Sequence, residues 1–388
     1  MPFATATHWP EGLRSIFELS RQQREVFPNR YYAPYLNLLS YCFNDAFEYF
    51  VTPYITRIDN ETPHDLVDPL ISLVVFNAKN RPVVFADIKE DWWQHNAYYR
   101  EVEDFQLRRR LDLVLDSPLP RIYGLSLFGT SLRVYTANSE GEKQPSIQPR
   151  PNDNDHTLPR DYLEGAWDID ILSQDGFNKM KEIVEDVVTD SDAFMVPFTT
   201  STCWPRGLLS IFCACREYRE TVENRYTGPF FELLNYCFAD EFKYIVAPYA
   251  PLRDCTTDDA VDPIILLVVY DAQYRPLLFL EVKDDIWAEV PQSREIADRI
   301  VRRRFDCIGG CPRARLWGLS LLGTCLRVYS LDMATGRILP SFDPRPDSIH
   351  NILSGDPLPL WDIDILSQTG FEKMKEIVNS IVNHGSSL

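Results

Sequence analysis

The chain has 388 residues, of which 45% are apolar, 13% aromatic and 25% charged. This is the profile of a globular protein with length for two ordinary domains, and no stretch approaches the run of about 18 apolar residues that a membrane-crossing helix needs. The formal charge of −18 argues against the broad basic footprint of a tight, sequence-independent nucleic-acid binder, although a local basic patch or bound cations can reverse the field at one place.

An internal duplication organises the chain. "HWPEGLRSIF" at 8–17 matches "CWPRGLLSIF" at 203–212, and "NRYYAPYLNLLSYCFNDAFEYFVTPY" at 29–54 matches "NRYTGPFFELLNYCFADEFKYIVAPY" at 224–249. "YGLSLFGTSLRVY" at 123–135 matches "WGLSLLGTCLRVY" at 317–329, and "WDIDILSQDGFNKMKEIV" at 167–184 matches "WDIDILSQTGFEKMKEIV" at 361–378. The offset stays at 194–195, and about half of the positions in these blocks are identical. Whole domains have been copied, one over 1–190 and one over 200–388, with the boundary in the polar stretch 187–202.

Each copy opens with a helix predicted over 10–27 and 205–222. A second helix is predicted over 33–51 and 228–246. Leu38, Leu39, Cys42, Phe43 and Phe47 recur there at helical spacing, and Pro53 and Pro248 are expected to end it. Two apolar, β-branched runs follow in each copy. "LISLVVFN" and "PVVFADIK" are joined by "AKNR", and "IILLVVYD" and "PLLFLEVK" by "AQYR". These are hairpin signals, and their nearly continuous apolar character predicts cover on both faces.

A helix with an arginine triplet is predicted next, over 98–115 and 292–308. "IYGLSLFGTSLRVY" then reads as two strands bent at the glycine. A Pro-rich loop over 140–165 and 335–360 precedes a final helix opened by a serine cap. The order α-α-β-β-α-β-β-α defines a mixed α/β fold, two tandem repeats each with a small central sheet flanked by helices.

The hairpins carry the chemistry. Asp262 precedes the first strand of copy two, and Glu281 and Lys283 stand near the end of the second. Residues i and i+2 of a strand share a face, so Glu281 and Lys283 lie together, and folding of the hairpin can bring Asp262 near Glu281. Two adjacent carboxylates repel. A divalent cation with a taste for oxygen, Mg²⁺ or Mn²⁺, resolves the repulsion, and a lysine beside it can orient an attacking water, a set that suits metal-assisted phosphodiester hydrolysis. Copy one offers Asp68, Asp87 and Lys89 at the same separations.

An acid before a strand, a hairpin and then (D/E)-x-K on the second strand, flanked by helices, resembles the PD-(D/E)XK nuclease-like superfamily and its restriction-endonuclease-like fold. "GLSxxGTxLRVY" and "WDIDIL" also resemble uncharacterised members of that superfamily in mushroom-forming fungi, over most of each copy. The resemblance implies metal ligands at Asp262 and Glu281, and at Asp68 and Asp87, with Lys283 and Lys89 as catalytic lysines. In many members the helix before the sheet adds a glutamate, a place that Glu232 fills in copy two and Asn37 takes in copy one. Copy two, with Glu232 and Glu281, is thus the better candidate for a working site.

Other repeated features have plainer readings beside the functional ones. The triplet "RRR" at 108–110 and 302–304 offers Arg108, Arg109, Arg302 and Arg303 to a phosphate, or to nearby acids such as Asp104 and Asp298. Trp93 and Trp287 can stack on a base or pack at an edge, and "NRY" places an arginine that suits a structural carboxylate. The six histidines share no matched position, and the nine cysteines form no CxxC or zinc spacing. Cys42 and Cys237 read as buried reduced thiols. The N-terminal "MPFATATHWPEGLRS" has no basic start or apolar core. Both point to an intracellular protein, cytoplasmic or nuclear.

Two functions follow. One is a metal-dependent phosphodiesterase acting on nucleic acid. The other is a catalytically silent interaction protein whose two copies pack as an intramolecular pseudo-dimer, whose acidic surface keeps it soluble or mimics nucleic acid, and which binds a protein partner. A small-molecule hydrolase on the same scaffold is a third.

Overall fold

The computed structural model describes residues 2–22, 29–43, 47–55, 71–113, 121–138, 140–148, 158–188, 196–217, 225–238, 242–249, 266–308, 310–341 and 361–383. The chain divides into two compact units, Met1–Phe194 and Met195–Leu388. Unit one carries α1 (Pro2–Thr5), α2 (Glu11–Gln22), α3 (Tyr32–Phe43), β1 (Tyr49–Ile55), β2 (Ile71–Asn77), β3 (Pro82–Lys89) and a 3-10 turn (Asp91–His95). It continues with α4 (Ala97–Leu113), β4 (Arg121–Phe128), β5 (Ser131–Asn138), β6 (Lys143–Gln144), β7 (Ile169–Asp170) and α5 (Gln174–Val187).

Unit two repeats the plan. It has α6 (Arg206–Glu217), α7 (Thr227–Cys237), β8 (Tyr244–Tyr249), β9 (Leu266–Asp271), β10 (Pro276–Lys283), a short α8 (Ile286–Glu289) and α9 (Pro291–Cys307). Then come β11 (Arg315–Leu322), β12 (Cys325–Asp332), β13 (Ile338–Leu339), β14 (Ile363–Asp364) and α10 (Gln368–Asn383).

Each unit builds one mixed sheet. The order is β1-β2-β3-β4-β5-β6 with β7 on β5, and β13-β12-β11-β10-β9-β8 with β14 on β12. All neighbours are antiparallel except β3 with β4 and β10 with β11. A parallel pair needs a long crossover, and the arginine helices α4 and α9 supply it. The expected hairpins are present as β2–β3 and β9–β10, with Asn80 and Tyr274 at positive φ in their turns. β10 is buried at every position, as its unbroken apolar character implied. In unit one Leu107 and Leu111 of α4 pack on Val74, Phe85 and Ile122. Among the described residues no helix is long and apolar enough to cross a membrane.

The second helix is shorter than its pattern suggested. Within the described residues α3 ends at Phe43, and 49–51, expected as its last residues, open an edge strand over 49–55 against β2. Pro53 and Pro248 therefore sit inside strands rather than ending helices. An edge strand tolerates the missing N–H because one of its sides pairs with no described strand. The serine caps are as expected: Ser173 Oγ and Ser367 Oγ accept from the amides of Gly176 and Gly370, each at 3.1 Å.

Several repeated phrases are explained by packing. Trp9 and Trp204 donate from Nε1 to the carbonyls of Ile171 and Ile365, both at 2.7 Å, which ties the "HWP" and "CWP" segments to "WDIDIL". Cys42 and Cys237 are buried free thiols whose pKa values burial pushes well up, so they are poor nucleophiles at neutral pH.

Candidate functional site

The register of the sheet sets the site. Ser72 pairs with Asp87, Asp87 with Ser126, and Ser126 with Arg133. These four residues form one polar row across the sheet, on the face that α4 covers. In unit two Glu281 pairs with Ser320, and Ser320 with Arg327. The motif acids are deeply buried, Asp87 at 2% and Glu281 at 0% exposure.

Their partner is the last arginine of each triplet. Arg110 reaches down from α4 to hydrogen-bond both Ser72 and Asp87. Arg304 of α9 donates from Nε to Glu281 Oε2 at 3.2 Å. The helix can bring it there because α9 lies close on β11: a Cβ at Gly318 would fall 2.7 Å from the Phe305 ring.

The motif lysines, two residues on, share this face. Lys283 Nζ is 3.9 Å from Glu281 Oε1, an ion-pair distance rather than a hydrogen bond. Lys89 and Lys283 also lie over the rings of Trp93 and Trp287, 5.0 and 4.9 Å from the centroids, where ring and cation attract.

A second acid stands on the crossover helix one turn before the first arginine of the triplet. Asp104 accepts from Arg108 Nε at 2.8 Å and Tyr135 Oη at 2.8 Å, and pairs with Arg133 at 3.0 Å. Asp298 has the same three partners, Arg302 at 2.8 Å, Tyr329 at 2.7 Å and Arg327 at 3.5 Å. Burial, reinforced by these acids, pushes both tyrosine hydroxyls up.

The units part at the neighbouring position. Unit one has Glu103, fully buried, which accepts from Ser126 Oγ at 3.0 Å; Trp167 Nε1 in turn donates to Ser126 Oγ at 2.9 Å. Burial raises the Glu103 carboxyl above its ordinary value, and Lys89 and Ser126 oppose the rise. Unit two has Ala297 at that place.

Of the residues expected to bind metal, Asp68 and Asp262 lie outside the described residues. Glu232 is 2% exposed on α7, which packs on β8 and β9, whereas Glu281 is engaged from α9. Its counterpart Asn37 donates to the Ala33 carbonyl of its own helix at 2.8 Å. Among the described residues no group of three or more His, Cys, Asp and Glu side chains converges. The described donors at Glu281 are one carboxylate between two cations, Arg304 and Lys283, an unfavourable field for Mg²⁺ or Mn²⁺, which bind through clustered oxygens.

The first arginine of each triplet takes the acid pairing that the sequence offered beside the phosphate reading. Arg108 and Arg302 hold Asp104 and Asp298, and also donate to the carbonyls of Pro145 and Pro340 at 2.8 and 2.9 Å. Arg303 is exposed and Arg109 half-buried. The phase of the helix decides this. Leu107 and Leu111 face the sheet in α4, as Val301 and Phe305 do in α9, so the third arginine, beside them, is the one aimed at the motif acid.

The sequence also concealed a clamp at the end of β3 and β10. Asp91 binds Arg30 Nη2 at 2.5 Å and Tyr31 Oη at 2.8 Å, and Asp285 binds Arg225 Nη2 at 2.8 Å and Tyr226 Oη at 2.6 Å. This gives "NRY" the structural carboxylate link expected of it. Burial, helped by these bonds, pushes the Tyr31 and Tyr226 hydroxyls up to about 12. No protein-family model matches the chain, and no curated protein matches it.

Proposed function

We propose that the protein is a catalytically silent interaction module built from two copies of a nuclease-like fold. The observation that carries this reading is the arginine on each motif acid. Glu281 and Asp87 are buried and bound by Arg304 and Arg110 of their own units. A D/E-x-K phosphodiesterase needs that carboxylate for a metal ion reached by water and substrate. Here the positive charge comes from the protein, and the pair is a core element of the kind that is costly to break. The motif's place on the second strand of an antiparallel hairpin, flanked by helices, supports the resemblance in fold.

A protein partner suits the surface better than nucleic acid does. Trp92, Tyr98 and Phe105 of unit one are 53%, 46% and 64% exposed. Tyr98 and Phe105 lie seven residues apart on one stripe of α4, and Trp92 packs edge-on against Tyr99 at 5.0 Å. Exposed aromatic stripes of this kind mark protein contacts, and the net charge of −18 opposes a phosphate backbone.

The test is a cleavage panel. Purified protein with Mg²⁺ or Mn²⁺ should leave single- and double-stranded DNA and RNA intact, with Lys283→Ala indistinguishable from the native chain. Cleavage by the native chain that Lys283→Ala abolishes would overturn the proposal. A second reading confines metal-dependent hydrolysis to unit two, with Asp262, Glu281 and Glu232 as ligands. It is favoured by Glu281 Oε1, buried without a hydrogen-bond partner as Asp87 Oδ2 is in unit one, together with Glu232, which unit one replaces by Asn37, and the same panel decides it.

A further inference from the structure

The exchange of Glu103 for Ala297 removes a carboxyl group but leaves the groups that served it. In unit one Trp167 donates to Ser126 and Ser126 to Glu103 Oε1, while Glu103 Oε2 has no hydrogen-bond partner. In unit two the counterparts of the first two, Trp361 Nε1 and Ser320 Oγ, are both buried and both without a hydrogen-bond partner. Ser320 is 1% and Trp361 9% exposed. Leaving a buried donor unmade costs about 1–3 kcal/mol, so two orphans in matched positions of the buried row call for an occupant.

The indole stays beneath its arginine, although its Nε1 no longer donates to the serine as that of Trp167 does. Arg327 lies 5.4 Å over the Trp361 ring, as Arg133 lies 5.2 Å over Trp167. The surrounding charge is also unbalanced relative to unit one. Lys89, Arg108, Arg110 and Arg133 are all kept, as Lys283, Arg302, Arg304 and Arg327, while three acids, Asp87, Glu103 and Asp104, fall to two, Glu281 and Asp298. The group lost between glutamate and alanine is a methylene and a carboxyl, the size of acetic acid. A third orphan, Glu281 Oε1, stands on the strand beside Ser320 and can accept from a protonated carboxyl. Trp287, Ala288 and Cys325, all partly buried, pack against the cluster of Ala297, Leu322 and Trp361.

We propose that unit two binds a short-chain carboxylic acid of acetate size beside Ala297, held by Ser320 Oγ–H and Trp361 Nε1–H and facing Lys283. Unit one carries this carboxyl in its own chain; unit two takes it from solution. The near-complete burial of the donors selects a small acid over an acidic side chain of a partner protein. The inference rests on the contrast between the units and stands whether or not the chain cleaves phosphodiesters.

The experiment uses the full chain with ¹⁵N-labelled tryptophan. Sodium acetate is titrated against sodium chloride at equal ionic strength, at neutral and at mildly acid pH. One indole N–H signal, assigned by its loss in Trp361→Phe, should shift saturably with acetate and not with chloride. Ser320→Ala, which removes only a hydroxyl, should weaken the response about tenfold, and Ala297→Glu, which restores the internal carboxyl, should abolish it. Conversely, Glu103→Ala should make Trp167 respond to acetate. If no indole responds to acetate at either pH, or if Trp361 responds equally to chloride or undiminished in Ser320→Ala, the orphans are satisfied by water and the proposal fails.

Discussion

Unit one and unit two share strand order, register and the arginine-bound motif acid, yet they finish the buried polar row differently. Unit one closes it with Glu103, Ser126 and Trp167. Unit two puts Ala297 in the gap and leaves Ser320 and Trp361 unpaired. The lesson is that the feature most suggestive of catalysis, D/E-x-K on a strand, is the part the copies treat alike, as a core ion pair. The feature that separates them is one helix position with no motif around it.

The comparison can be broken at the ion pair first. Arg304→Ala and Arg110→Ala each strand a buried carboxylate and should cost about 3–5 kcal/mol, read from the urea midpoint of the affected unit. Replacing both members together, Glu281→Leu with Arg304→Met, should recover most of that loss. If the single changes are harmless, the arginines are not the counterions of the core.

A smaller effect is expected at the β4–β5 and β11–β12 turns. Gly129 and Gly323 have φ of +58° and +61°, and a Cβ there would fall 1.6 and 1.8 Å from Asp91 and Asp285. Alanine at either should cost about 1–3 kcal/mol. The loss should be equal in the two units, because the clamp is the same in both, and a marked inequality in the midpoints would contradict that likeness.

Glu103→Ala tests the difference itself. It leaves the Ser126 hydroxyl, which keeps the bond from Trp167, without an acceptor for its proton and should lower the stability of unit one by about 1–3 kcal/mol, measured in the same denaturation experiment.

The smallest effect is in pH dependence. Burial raises the Glu103 carboxyl in the folded state, so between the ordinary glutamate value and the raised one the folded protein binds more protons than the unfolded chain. Stability from this group therefore falls as pH rises through that window. Glu103→Gln should remove that slope from unit one, and unit two, with Ala297, should lack this contribution from the start.

The hairpins, the crossover helices and the serine caps were legible because each is written locally, in period, length and turn residues. The strand at 49–55 was not, since Phe47, Tyr49, Phe50 and Val51 continue an apolar pattern that a helix or a strand can use, and only pairing with β2 decides between them. The motif acids and lysines were visible as a repeat, but their partner was not: three arginines in a row look alike until Leu107 and Leu111 fix the phase of α4. The pair Glu103 and Ala297 was readable from the duplication, since an acid aligned with an alanine one turn before a buried leucine marks a change inside the core. Searching only for what the copies share passes over it.

The central claim is that the motif carboxylate belongs to the protein's own arginine and not to a metal ion. Calorimetric titration of the native chain and of Glu281→Gln with Mn²⁺ tests it most directly. The account predicts the same heats for both proteins. A saturable Mn²⁺ site in the native chain that disappears in Glu281→Gln would contradict it.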